Sequence, residues 1–190
     1  MSDQDRLRDL KARVPGSVES LVEEFTSPLM AAARSWGLSE PDAEEAVQDS
    51  LTDFLTAIGR FEGRSTLKTF LFGVLYHKCS ERRRKNKREQ ATEDMEAAFA
   101  GRFGSLGVWN SLPRGPEEEA VNDELKGWLE ECAKGLSDEQ RSVFQLKTVE
   151  GMSTEDACKI TGVSATNLGV LMFRARNKLR ECLEKKWVKR

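Results

Sequence analysis

Basic and aromatic side chains crowd together between Phe61 and Arg88. Phe61, Phe70, Phe72 and Tyr76 are followed by Lys78, Arg82, Arg83, Arg84, Lys85, Lys87 and Arg88, opposed within that run by Glu81 alone. Cations at this density neutralise phosphates, and flat aromatic faces stack on unpaired bases, so nucleic acid is the chemistry these residue types fit. A core helix with a solvated basic end that suits the helix dipole has the same composition. The rest of the chain has to separate the two readings. Enzyme chemistry finds little purchase. There is no phosphate-cradling glycine loop or nucleophile elbow, and His77 is the single histidine available for acid–base work.

The element that must carry these residues is a helix. The turn Glu62-Gly63-Arg64 precedes Ser65 and Thr66 as caps. Leu67, Phe70, Leu71, Val74 and Leu75 then fall on one side at 3.6 residues per turn. Phe72, Tyr76 and Cys79 form a second apolar line, beside Lys68 and Arg83.

Before it, Leu21, Phe25, Leu29, Ala32 and Trp36 mark a helix that Pro28 is expected to interrupt and Gly37 to end. The residues ahead of it read as a frayed, charged start. Ser39, Pro41 and Asp42 then open a helix whose buried face is Ala43, Val47, Leu51, Phe54 and Ile58. Its opposite face is acidic and polar. Between Ser35 and Gly59 there are six acidic residues and no lysine or arginine. Residues 90–116 are rich in glycine and proline and read as a linker, with Phe99, Phe103 and Trp109 scattered through it.

Helical pattern returns at Glu117. Val121, Leu125, Trp128, Leu129 and Cys132 share a face that stops at Gly135, and Ser137 to Gln140 is a capping box for the next helix. Ser153 and Asp156 then cap a short helix, Thr161-Gly162-Val163 makes a tight turn, and Ser164 caps a long basic helix. A short helix, a glycine turn and a longer helix make a helix-turn-helix, with Cys158 as the small residue at the close approach. That geometry points Ala165, Thr166, Asn167 and Val170, just past Ser164, at base edges, and lets Arg174, Arg176 and Lys178 reach phosphates.

The 190-residue chain has a net charge of −2, but that total hides segregated blocks, which are the better guide to partners. The fold class is all-α: two small helical domains, at 17–90 (three helices) and 117–187 (four helices), joined by a flexible linker at 91–116. Cys79, Cys132, Cys158 and Cys182 lie far apart without a CxxC pair, so reduced, mostly buried thiols in a cytoplasmic protein are expected, with no metal and no cofactor. No segment approaches membrane-spanning length.

Three ordered motifs carry a family resemblance. DAEEAVQDSLTDF and FEGRSTLKTFLFGVLYHKCSERRRK are similar to region two of the extracytoplasmic-function sigma factors, promoter-specificity subunits of bacterial RNA polymerase. GMSTEDACKITGVSATNLGVLMFRARNKLRECL resembles their region four. The resemblance implies a non-enzymatic protein that binds core polymerase, recognises the minus-ten and minus-thirty-five elements and promotes strand opening. Asp42, Glu45, Gln48, Asp49 and Asp53 would dock on the clamp helices of the largest subunit, while region four would sit near the flap. Arg64, Ser65, Lys68, Thr69, Phe72, Tyr76 and His77 would hold the melting minus-ten element, with Lys78, Arg82, Arg83, Arg84 and Lys85 on phosphates. Ser164, Ala165, Thr166, Asn167, Val170, Arg174, Arg176 and Lys178 would read the minus-thirty-five duplex, and an anti-sigma factor is an expected partner. Gly169 and Leu171 stand where the family is often basic, which shifts weight onto Arg174, Arg176 and Lys178 and leaves a leucine-rich face for a protein partner. A free-standing helix-turn-helix regulator is the alternative, and an RNA-binding adaptor a third reading. Each leaves one half of the chain without a role.

Overall fold

Serine caps set four of the eight helix starts described. The structure, a computed structural model, describes residues 3–90 and 116–188. Its helices are α1 (Asp3–Lys11), α2 (Ser17–Ser35), α3 (Glu40–Ala57), α4 (Leu67–Gln90), α5 (Pro116–Ala133), α6 (Asp138–Phe144), α7 (Thr154–Thr161) and α8 (Ala165–Val188). A 3-10 turn at Ile58–Arg60 follows α3, and a π-helical turn at Gln145–Val149 continues α6. No strand occurs among the described residues, as the composition predicts. The hydroxyl of Ser39 accepts from the Asp42 amide, that of Ser153 from Asp156, and that of Ser164 from Asn167. Ser137 and Gln140 satisfy each other's backbone donors in a full capping box. Gly162, at φ 74°, ends α7 with the left-handed turn that the helix-turn-helix requires.

Three expectations are corrected. The N-terminal residues are helical rather than frayed: Leu10 is buried against the core, and the Asp3 carboxylate accepts the Leu67 amide at 3.2 Å, capping α4 from a distance. Pro28 lies inside a continuous α2, where burial of Phe25, Leu29 and Ala32 along one stripe outweighs the one lost backbone bond. Finally, Cys132 and Cys182 are not free thiols. They form a disulfide between α5 and α8, with Cα atoms 5.7 Å apart.

Helices α2, α3 and α4 pack around Leu21, Leu29, Trp36, Phe54, Leu71 and Leu75, all essentially without exposed surface. Trp36 meets Tyr76 edge-on at 5.4 Å, and Phe70 stacks on Phe61 at 4.9 Å. Helices α5 to α8 form the second group, with α8 packed on α5, α6 and α7. The two groups also pack on each other. Val143, Leu146, Met152, Ala157, Ile160 and Leu168 belong to the same continuous core as the first group, and α7 lies against α4. This explains the two apolar lines on α4. One faces α2 and α3, while the fully buried Phe72 lies on the other. The expected tether falls outside the described residues, apart from Pro116, which opens α5.

Candidate nucleic-acid interface

On α3 the acidic residues Glu45, Asp49 and Asp53 recur every four positions, and on α4 the cations Lys78 and Arg82 are also four apart. The packed helices turn these spacings into a charge ladder. One guanidinium nitrogen of Arg82 donates to Glu45 at 2.7 Å and the other to Asp49 at 3.0 Å. The Lys78 ammonium lies 2.7 Å from Asp53. The Arg82 hydrogen bond holds the Glu45 carboxyl below its ordinary range, and the same pair raises Arg82 above its own. Asp42 sits at the start of the ridge, accepting from Ser39 at 2.6 Å and Asn86 at 3.5 Å, while Gln48 is exposed.

The predicted minus-ten residues divide into two groups. Arg64, His77, Arg84 and Lys85 are exposed, and Ser65, Tyr76 and Lys78 are half-exposed. Thr66, the residue beside Ser65, caps α4 by accepting from the Thr69 amide at 3.0 Å. Arg83 turns inward and donates to the Trp36 carbonyl at 3.0 Å, tying the end of α2 to α4. Thr69 and Phe72 are buried, and Lys68 reaches across to the second helix group. Its ammonium donates to the Glu150 carbonyl at 2.9 Å and lies 3.0 Å from the Glu150 carboxylate. Lys68 also sits 5.6 Å over the Phe72 ring. In this arrangement α7 and the Glu150 turn cover the face of α4 that carries Lys68, Thr69 and Phe72.

Glu150 was not singled out by the sequence, because a lone glutamate beside a glycine carries no periodic signal. Its side chain is only 7% exposed, and Gln145 donates to it at 3.1 Å. Arg141 was missed for the same reason. It is buried near the Leu136 carbonyl, to which it donates at 3.1 Å, and burial pushes its guanidinium below the usual range.

On α8 the predicted readers are laid out as a helix-turn-helix demands. Ala165, Thr166, Asn167, Gly169 and Val170 are exposed, and Leu168, Leu171 and Met172 are buried beneath them. The leucine-rich face expected here therefore belongs to the core, and the exposed large apolar residues in the first turns of α8 are Val170 and Phe173. Arg174, Arg176 and Lys178 are exposed along the next turns, Lys178 donating to the Gly135 carbonyl at 3.3 Å.

A family comparison agrees with this layout. The sigma-70 region 2 model matches residues 21–89, and the sigma-70 region 4 model matches residues 126–179. The two spans take in most of α2 to α4 and most of α6 to α8, and the chain belongs to the sigma-70 family of RNA polymerase sigma factors. Among curated relatives it is 28% identical over 193 residues to the RNA polymerase sigma factor CnrH of Cupriavidus metallidurans, covering 97% of each chain. It is 23% identical to the ECF RNA polymerase sigma-E factor of Salmonella typhimurium, over 92% of this chain and 84% of the relative. Among solved structures it is similar to the sigma factor RpoE of Bartonella quintana in complex with the anti-sigma factor NepR. The TM-score is 0.70 at 25% identity, covering 89% of this chain and 98% of that one. The chain thus falls in the extracytoplasmic-function branch, and the sequence resemblance holds.

Proposed function

We propose a residue-level division of labour for this sigma factor. The α3 ridge of Asp42, Glu45, Gln48, Asp49 and Asp53 docks on a basic surface of core polymerase. An acidic, partly amide face meeting a basic partner supplies both steering and register. The Arg82 and Lys78 contacts hold the ridge side chains in fixed rotamers beforehand, which lowers the entropy lost on docking.

The loop at 61–66 and the exposed side of α4 receive the single-stranded minus-ten element, with Arg84 and Lys85 on phosphates. Lys68, Thr69 and Phe72 join that surface once the Glu150 turn has moved away. The exposed start of α8 reads the minus-thirty-five duplex through Thr166, Asn167 and Val170, and Arg174 and Arg176 neutralise phosphates. The chain supplies specificity and binding energy for strand opening and no bond chemistry of its own. It acts in the cytoplasm, and no helix among the described residues is long and apolar enough to cross a membrane. An anti-sigma factor fits as a further partner, by analogy with the Bartonella relative.

The observation that carries this reading is the α8 pattern: polar and small residues outward at 165–170, apolar residues inward, directly after a left-handed glycine turn. Run-off transcription with core polymerase and a promoter library tests it. Discrete start sites that depend on this protein are expected. Transcription indistinguishable from core enzyme alone refutes it.

A further inference from the structure

Among the described residues, the main packing of α5 is on α8. Their contact is a small satellite core of Cys132, Ala133, Leu136, Ala175 and Leu179, separate from the main one. The Cys132–Cys182 disulfide spans this contact and joins positions 50 residues apart in sequence. The link adds to this small core, to the edge-on Trp128–Trp187 pair and to the Glu131–Lys186 ion pair in keeping α5 on α8.

The link is also reachable. It lies along an open groove lined by Glu131, Gly135, Lys178, Lys185 and Lys186. Cys182 is half-buried, whereas Cys132 is 4% exposed. An attacking thiolate therefore meets Cys182 first. Three lysines and two glutamates, Glu131 and Glu181, line the groove, leaving a slight positive excess that favours both an approaching anion and a departing thiolate. Cys79 is the contrasting case: it is buried in the main core, where a thiol is inert.

We infer that Cys132 and Cys182 form a thiol–disulfide exchange site through which a dithiol reductant releases α5 from α8. The thiolate of the reductant attacks Sγ of Cys182, and the bond to Cys132 breaks as Cys132 leaves as a thiolate and takes up a proton. The second thiol of the reductant then attacks the mixed disulfide and frees Cys182. The reductant is oxidised to its cyclic disulfide, and the protein gains two electrons and two protons. A disulfide in a reducing compartment is usually a transient or sensing one. That step rests on the cytoplasmic reading above, while the exchange itself does not.

The test uses the full chain, alkylation of thiols after denaturation, and amide hydrogen exchange. Air-equilibrated protein should show two alkylatable thiols, Cys79 and Cys158, and four after treatment with dithiothreitol. Titration with reduced and oxidised glutathione, in which two glutathione molecules take the parts of the two thiols and leave as glutathione disulfide, should open the pair within the range of ratios found in cells. On opening, amides of α5 should exchange at least about tenfold faster while those of α2 to α4 stay unchanged. The Cys132→Ser/Cys182→Ser variant should exchange fast in α5 and ignore reductant, and Cys79→Ser/Cys158→Ser should respond like the parent. Four alkylatable thiols in air-equilibrated protein overturn the proposal. So does a pair that stays closed in large excess of reduced glutathione, or α5 exchange that reduction leaves unchanged. None of these readouts involves polymerase or DNA, so they stand or fall separately from the promoter reading.

Discussion

Replacing Lys68 by Ala removes the one ammonium that ties α4 to the Glu150 turn, and its effect can be worked from the contacts. The Glu150 side chain is 7% exposed, and Lys68 lies 3.0 Å from it while also donating to the Glu150 carbonyl. A hydrogen bond to a charged group contributes about 1.5–3 kcal/mol. Lys68 is itself 39% exposed, so solvent screening lowers the coupling to about 1–2 kcal/mol. That changes the ratio of closed to separated lobes by roughly 5- to 30-fold. In the variant, Gln145 remains the donor to a carboxylate that has lost its counter-ion.

The assay is a double-mutant cycle with Lys68→Ala and Glu150→Gln, read by denaturant unfolding. X-ray scattering in solution would follow the radius of gyration of each variant. The single variants should lose stability, the double should lose less than their sum by about 1–2 kcal/mol, and Lys68→Ala should be more extended. Purely additive losses with an unchanged radius would show that this pair does not hold the lobes together.

Three further outcomes follow from single features. Ser137→Ala deletes half of the α6 capping box and should cost about 1 kcal/mol, lowering the melting temperature by about 2–4 °C. Burial pushes the Cys79 thiol up to about 12 from 9.0, so its neutral form favours folding. That contribution is complete below pH 9 and is lost as the pH rises towards 12. In a Cys132→Ser/Cys158→Ser/Cys182→Ser background, native protein should resist iodoacetamide at pH 9 and react only on unfolding; ready native alkylation would contradict this burial. Arg174→Ala with Arg176→Ala should weaken binding to all duplexes alike and reduce the slope of affinity against salt by about two. A loss confined to one sequence would move these residues from phosphates to bases.

The helix starts were legible because their information is local. Ser39, Ser137, Ser153 and Ser164 each sit three residues before the amide they accept, so spacing alone reveals them. Thr66, too, was among the caps read for α4. The all-α class and the helix-turn-helix followed from the same kind of signal. What stayed hidden depends on long-range packing. Helix α1 is short and charged, and its long-range contacts show why it folds: Leu10 in the core, Asp3 at the start of α4, Arg6 on Glu24 and Lys11 on the Phe61 carbonyl. The Cys132–Cys182 link joins residues 50 apart, which no spacing rule pairs. The α3–α4 ladder is an intermediate case: both four-residue spacings are visible in the sequence, but not that the helices align them. Likewise the second apolar line of Phe72, Tyr76 and Cys79 was plain, and a helix apolar on two sides is covered on two sides. Which elements cover it, with Trp36 at the end of α2 on Tyr76 and α7 against α4, is set by tertiary packing that no local pattern encodes.

The most direct measurement of the central claim is the affinity of the full chain for core RNA polymerase, by fluorescence anisotropy at fixed salt. Saturable binding is predicted, weakened about tenfold or more by Asp49→Lys, which turns the centre of the α3 ridge against its basic partner and towards Arg82. Duplex binding through α8 should be unchanged in that variant. Absence of binding by the parent chain, or equal binding by parent and Asp49→Lys, would contradict the account.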